Sequence, residues 1–479
     1  MNWPSDDGIL PAKSPAQIRA PAGHDGSLLR VKEMRRSWAV LAAALAAGAF
    51  VTLVVVTAPQ APLQALHATG GPAPLGWSSW SFLRRHPTAA STEAQARALK
   101  SSGLASLGYR YVNVDDYWMA CNSDGPQVDH YGRWIPDRAS FPSGIAALAH
   151  YVHALGLKFG LYVTPGIPAN AVRENAAIEG TSERAAQIAE TSVTEQNYNC
   201  GHMYGINYGA PGAQAYIDSW ARQFASWGVD YLKLDGVGTW DIPDIRAWSV
   251  ALHRAGRPII LELSNSLAIS HAGLWSTLAD GWRTGEDIEC YSCEKDGSSF
   301  PLTDWSHVAG RFNAVACWQP CGGQSGWNDE DSVEIGNGAS DGITLPERRT
   351  VLSLWSLAGA PLILGTDLTH LTSTDKAILD NRAVLAIDQD GIAATRLVDG
   401  GDEQVFVKRQ PGGPWYIGIF NTSTSEVQTF DVQLAQLGLR HPVRAVDVWT
   451  GRSVTLTRGT YTATVAPGGV SLISAQAVG

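Results

Sequence analysis

The 479-residue chain predicts an α/β fold, a (β/α)8 TIM barrel followed by a C-terminal antiparallel β-sandwich. Three observations point there. Apolar, β-like runs alternate with segments whose apolar residues recur at helical spacing, roughly eight such units over about 320 residues, the pattern of parallel β/α units. Several runs end in carboxylates, and active sites of that barrel lie at the C-terminal ends of its strands. Beyond Asp390-Gly391 the texture changes to short alternating runs separated by Gly, Pro, Asp and Ser, which reads as a small sandwich.

In chain order, the barrel begins at Leu75-Gly76-Trp77-Ser78-Ser79-Trp80. Further strands are expected over Tyr109 to Asp116, Lys158 to Pro165, Val229 to Gly236, Pro258 to Ser264, Gly281 to Asp287 and Pro361 to Asp367. Helical spacing marks Ala94 to Leu107, Ile145 to Leu155, Ala213 to Trp227, Ile242 to Ala255 and Asp375 to Ala386. Gly166 to Gly212 reads as one long loop with a helical stretch around Glu183 to Glu190, and a long loop on a rigid barrel often carries specificity. The sandwich strands are Gln404 to Val407, Trp415 to Phe420, Val427 to Val432, Ala445 to Trp449, Tyr461 to Val465 and Val470 to Ile473. The expected division is 1–37 N-terminal tail, 38–58 signal peptide or membrane anchor, 59–73 linker, 74–392 barrel and 393–479 sandwich.

A net charge of −10 with 17% charged residues leaves no basic stripe, which speaks against nucleic acid and for neutral substrates. Met34-Arg35-Arg36-Ser37 leads into the uncharged apolar run Trp38 to Ala58, an export signal. That run is long for a cleaved signal and just long enough to span a bilayer, so a secreted protein and a protein anchored outside the cytoplasm both fit. Met34 also begins an ordinary signal sequence, leaving open which methionine starts the chain. The cysteines Cys121, Cys200, Cys290, Cys293, Cys317 and Cys321 suit an oxidising compartment and disulfides, with fifteen connectivities open. The pairs Cys290/Cys293 and Cys317/Cys321 also resemble the spacing of a four-cysteine zinc site.

The chemistry concentrates in Val-Asp-Tyr-Leu-Lys-Leu-Asp-Gly, 229–236. Alternation turns Tyr231, Lys233 and Asp235 to one face of the strand. A buried carboxylate is costly, and a nearby ammonium offsets part of that cost while favouring the ionised, nucleophilic form of Asp235. No His-x-His or Glu-x-x-His pair sits at a strand end and no Gly-rich phosphate loop follows the last strands. Neither a metal nor a cofactor is expected.

The ordered motifs Leu75 to Trp80, Asp115-Asp116-Tyr117-Trp118, Phe141-Pro142-Ser143-Gly144, Leu155 to Gly160, Tyr231 to Asp235, Trp282-Arg283-Thr284-Gly285-Glu286-Asp287, Trp327-Asn328-Asp329 and Ala360 to Asp367 resemble glycoside hydrolase family 27, the α-galactosidase family, over about residues 72 to 479. The resemblance implies a retaining double displacement with Asp235 as nucleophile and Asp287 as acid/base. It makes Asp115 and Asp116 the hydroxyl-binding pair and Trp77 and Trp80 an aromatic wall. Tyr162, Lys233, Glu262, Asn265 and Arg283 complete the expected substrate-binding set. Physically, Asp287 has to keep a proton that repulsion between the two carboxyls would favour, and Arg283, on the same strand face, would orient it. Glu286 and Glu289 compete for the acid role, and alternation points Glu286 away.

Two substrate-reading stretches depart from the family pattern: Tyr162-Val163-Thr164-Pro165-Gly166 and Leu261-Glu262-Leu263-Ser264-Asn265. They resemble the branch that includes isomaltodextranase. The expected function is removal of a terminal α-linked sugar from an oligo- or polysaccharide, galactose first; release of isomaltose from dextran and cleavage of β-L-arabinopyranosides are the alternatives. A non-catalytic sugar-binding barrel would lack one of the carboxylates, and both are present.

Overall fold

The computed structural model describes residues 71–478 except 296, 324, 325 and 441. The N-terminal tail and the run Trp38 to Ala58 lie outside the described residues. Among the described residues no helix is long and apolar enough to cross a membrane.

Eight parallel strands form the barrel: β1 (Leu75–Ser78), β2 (Tyr109–Val114), β3 (Lys158–Val163), β4 (Tyr231–Leu234), β5 (Ile260–Leu263), β6 (Gly281–Arg283), β7 (Trp327–Asp329) and β8 (Leu362–Leu364). From β1 to β7 each pairs with the next in the chain, and β8 pairs with β1. The ring closes beyond β7, where Val333 bridges to Leu364 and its N–H donates to the Ile363 carbonyl at 2.8 Å. Close backbone approach explains Gly160 in β3: an added Cβ would lie 2.0 Å from the Asn113 Oδ1 on β2.

Helices shield the outer face. The helix expected from Ala94 begins at Ala89, because Thr88 caps it reciprocally with Ser91, and it ends at Ser101. Ile145–Ala154, Ala213–Trp227 and Ile242–Arg254 follow the sequence expectation closely. The segment expected as one helix over 375–386 is two, Ser373–Leu379 and Arg382–Asp388, since Asn381 accepts the N–H groups of Ala383 and Val384 and starts a new helix.

The Gly166 to Gly212 segment is a small subdomain rather than a loop. Strands Ile167–Pro168, Met203–Ile206 and Ala189–Glu195 make a three-stranded antiparallel sheet with Met203–Ile206 in the centre. The expected helix over 183–190 is confined to Ala185–Ile188, beyond which Thr191, Val193 and Thr194 favour extended backbone. A Cys121–Cys200 disulfide ties this insertion to the loop after β2. Cys290 and Cys293 are bonded to each other, which removes two of the four thiols that a four-cysteine zinc site would need, and Cys317 and Cys321 are unpaired.

Beyond the barrel, Thr395–Gly400, Glu403–Arg409, Trp415–Asn421, Val470–Ala477 and Val443–Asp447 form, in that order, a five-stranded antiparallel sheet, and Gln428–Gln433 pairs with Thr460–Val465. Val405, Ile417 and Ile419 of one sheet share a core with Phe430, Val432 and Val465 of the other. Helix Leu345–Ala358, opened by a Thr344/Glu347 capping box, is buried over most of its length; its Thr350 donates to the Gly468 carbonyl in the sandwich. Lys408 projects from a sandwich strand into the barrel's end. Its buried ammonium donates to the Ser356, Ile387 and Ile392 carbonyls and pairs with Asp390 at 2.9 Å.

Candidate active site

Asp115, Tyr162, Lys233, Glu262, Arg283 and Asp287 line one cleft at the C-terminal ends of the strands, about 560 Å³ counting its open mouth. Alternation accounts for Tyr162, Lys233, Glu262 and Arg283, which lie within their strands, while Asp115 and Asp287 come from the segments that follow β2 and β6. Trp80, Glu289, Asp329 and Asp331 complete much of the wall.

Lys233 sits at the centre of one side. Its ammonium pairs with Asp115 at 3.0 Å and lies 5.6 Å from the centre of the Tyr162 ring. Burial disfavours its charge, but Asp115 and Asp235 more than compensate and hold the lysine protonated. The hydrogen bond goes to Asp115, while the charge of Lys233 favours the ionised form of Asp235 through space, as the sequence suggests. Asp235 follows β4, its N–H bonded to the Val163 carbonyl at 2.8 Å. Burial raises its pKa; Lys233 opposes this, while Asp115 and Asp287 add to it.

Arg283 is the hub of the opposite side. The buried guanidinium reaches Asp331 at 2.7 Å, Asp287 at 3.1 Å and Asp329 at 3.3 Å. Strand β6 ends at Arg283, so alternation does not orient the residues after it; Asp287 is aimed by its partners instead. Arg283 donates to Oδ1, and the Tyr291 hydroxyl donates to Oδ2 at 2.7 Å. Tyr291 itself accepts from the Trp80 indole N–H at 2.9 Å. Burial works against the Asp287 charge, but Arg283, Lys233 and the Tyr291 hydrogen bond outweigh it and hold this carboxyl below its usual range. Repulsion between the carboxyls thus does not keep a proton on Asp287 in the free protein. Glu286 is exposed.

Burial and Asp329 push Glu262 well above the usual carboxyl range, while a hydrogen bond from Glu262 and the charge of Arg283 hold Asp329 below it against its own burial. Asp116 is buried and does not line the cleft: Tyr117 N–H donates to Oδ1 and Asn199 of the insertion to Oδ2. Burial pushes its pKa up to about 6 against those bonds. Asn199 in turn accepts from the Tyr117 hydroxyl. Tyr162 is buried with an unpartnered hydroxyl.

Two expectations fail. Trp77 is 0% exposed and its indole N–H is committed to the Thr366 carbonyl, so it offers no face to a ligand; the aromatic residue of that motif that reaches the cleft is Trp80. Asn265, like Asp116 and Asp235, is not among the cleft-lining residues, and unlike Asp235 it has no electrostatic tie to those that are. It has φ 106° and its Oδ1 accepts the Ser266 N–H, a local turn. Sequence reasoning missed Tyr291, Asp331, Asn199 and Tyr198. Tyr198, 50% exposed, is carried by the insertion into the field of Asp235 and Asp287. The signal available for three of these was adjacency to cysteines, Tyr291 inside Cys290/Cys293 and Tyr198 and Asn199 beside Cys200; Asp331 carried none.

A family model described as Alpha galactosidase A matches residues 91–202 and 180–390, and one described as Alpha galactosidase C-terminal beta sandwich domain matches 400–475. Alpha-galactosidase A of Cellvibrio japonicus is 32% identical over 356 residues, 72% of this chain and 75% of that protein. The alpha-galactosidase of Cyamopsis tetragonoloba is 29% identical over 400 residues, 82% of this chain and 83% of that one. Among solved structures, a family 27 β-L-arabinopyranosidase from Geobacillus stearothermophilus superposes with a TM-score of 0.78 at 28% identity, covering 88% of this chain and 99% of that one.

Proposed function

Because the chain belongs to the α-galactosidase family, glycoside hydrolase family 27, and is a glycosidase, we propose that it removes terminal α-galactosyl groups with retention of anomeric configuration. Asp235 attacks the anomeric carbon, and the C–O bond breaks with its electron pair moving to the leaving oxygen, which takes a proton from Asp287. Water then displaces Asp235 from the covalent glycosyl-aspartate as Asp287 accepts its proton. The carrying observation is the pair of opposed clamps. Lys233 with Asp115 holds one side of the cleft, and Arg283 with Tyr291 aims Asp287 from the other. Asp115 is a ready acceptor for vicinal hydroxyls, and Trp80 with Tyr291 gives an aromatic edge.

One observation favours a second reading, cleavage of β-L-arabinopyranosides. The arabinopyranosidase fold likeness spans nearly the whole of that protein, and the pentose ring has the galactose configuration without the C6 hydroxymethyl group.

The test is hydrolysis of aryl α-galactoside, aryl β-L-arabinopyranoside, raffinose and dextran, with the product anomer followed by NMR and Asp235→Asn as control. Galactose released first as the α-anomer supports the proposal. A preference for the arabinoside selects the second reading. Isomaltose from dextran without galactose would mean that the altered ends of β3 and β5 have re-specified the cleft, and an inverted first product would remove Asp235 as nucleophile.

A further inference from the structure

Asp287 receives a donor at each oxygen. Tyr291 accepts from Trp80 and therefore turns its own proton to Asp287 Oδ2, while Arg283 fills Oδ1. Such a carboxyl is arranged to be charged, yet the reading above needs it to deliver a proton.

A candidate source lies beside it. Glu289 lines the same cleft, and its carboxyl oxygen lies within 4.8 Å of carboxylate oxygens of both Asp287 and Asp331. One Glu289 oxygen accepts from the Ser81 hydroxyl at 2.6 Å; the other, Oε2, is buried without a hydrogen-bond partner. An unpartnered buried carboxyl oxygen is costly when charged and cheap when protonated.

The charged and titratable groups facing Glu289 come from three elements. Arg84, 3.8 Å away, follows the helix after β1; Asp331 and Glu334 follow β7; Arg283, Asp287 and Tyr291 belong to its own strand and loop. Burial, then Asp331 and Asp287, push Glu289 up to about 8 against Arg84 and Ser81.

We propose that Glu289 stores the catalytic proton of this site and passes it to Asp287 when substrate is bound; this rests on the acid/base reading of Asp287. Glu289 acts through Asp287 and not on the sugar. In the first half-reaction Asp235 bonds to the anomeric carbon, the leaving oxygen takes the electron pair of the broken bond and a proton from Asp287, and Asp287 has received that proton from Glu289. In the second, water displaces Asp235 and its proton passes to Asp287 and back to Glu289. One proton leaves with the alcohol, one enters with water, and Glu289 ends as it began. The gap of at most 4.8 Å is closed by a side-chain rotation or one bridging water.

The experiment measures kcat/KM against pH for the full chain on nitrophenyl α-galactoside, a good leaving group, and raffinose, a poor one, with Glu289→Gln, Glu289→Asp and Asp287→Ala. Glu289→Gln should lower kcat/KM on raffinose by about 100-fold and on the aryl substrate far less. It should also erase the alkaline limb that wild type shows near about pH 8, and Glu289→Asp should restore part of the substrate ratio. A Glu289→Gln enzyme with the wild-type ratio and limb overturns the proposal, whatever its total activity. If Asp287→Ala also leaves the ratio unchanged, the acid/base reading itself has failed; if only Glu289→Gln does, Glu289 alone is wrong. Should Glu289→Gln not fold, Ser81→Ala removes the hydrogen bond that favours ionised Glu289, so the alkaline limb should move up, and an unmoved limb overturns the proposal.

Discussion

Asn199→Ala probes whether the insertion governs the ionisation of Asp116, one of the two carboxylates proposed to accept substrate hydroxyls. Asn199 donates to Asp116 Oδ2, and that bond lowers the pKa of a carboxyl which burial has already pushed up to about 6. A hydrogen bond to a charged group contributes about 1.5–3 kcal/mol, and about 1.4 kcal/mol corresponds to one pKa unit, so its loss should raise Asp116 by roughly 1–2 units. The ionised fraction at pH 6.5 would fall from roughly 0.76 to between roughly 0.24 and 0.03, a loss of about 3- to 25-fold. If ionised Asp116 accepts substrate hydroxyls, kcat/KM on an aryl α-galactoside should drop by that factor at pH 6.5, with the acid limb displaced upward and the deficit shrinking as pH rises. An acid limb that stays in place, with any loss equal at every pH, would show that Asn199 does not act through the charge of Asp116.

Asp235→Asn should cut turnover by several orders of magnitude while near-UV circular dichroism stays native; near-normal turnover would remove Asp235 from the chemistry. Replacing Cys121 and Cys200 by serine frees a bond spanning 79 residues of sequence, worth ~4.5 kcal/mol by loop entropy. At ~2.1 cal/mol/K per residue over roughly 400 residues, that lowers Tm by about 5 °C at fixed scan rate, and a shift below about one degree would show the insertion is held otherwise. The two indoles of the first motif should separate cleanly. Trp80→Ala should raise KM with little change in denaturant midpoint, whereas Trp77→Ala should cost about 3–5 kcal/mol in chemical denaturation; a KM effect at Trp77 alone would contradict its burial.

Periodicity made the barrel readable, because buried parallel strands with carboxylates at their ends leave a signal in a single sequence. Lys233 and Asp235 are legible for that reason, whereas the roles expected of Asp115 and Arg283 come from the family motifs. The same rule failed beyond strand ends: β6 stops at Arg283, so the aim of Asp287 depends on Tyr291, in the loop that follows, and on Trp80, from the far end of the barrel sequence. Trp77 was misread because an indole at a strand start looks the same whether it faces a ligand or the barrel core. The effect of the Lys233 charge on Asp235 is legible from their spacing, whereas its hydrogen bond to Asp115, 118 positions earlier, is not. Partner choice of that kind, like the pairing of Cys121 with Cys200, is decided by tertiary proximity that local pattern does not encode.

The Lys408 ammonium bears on how this gene can be cut and recombined. One side chain from a sandwich strand serves three main-chain carbonyls and a carboxylate at the end of the barrel. Trimming the chain after the last barrel helix would leave those acceptors to water or to nothing, at about 1–3 kcal/mol for each one that stays buried. The C-terminal sheet and the barrel are thus coupled in stability through this one side chain. A chimaera between relatives should place its crossover in the surface insertion, whose disulfide travels only if the loop after β2 travels too, and not at the apparent seam near residue 392.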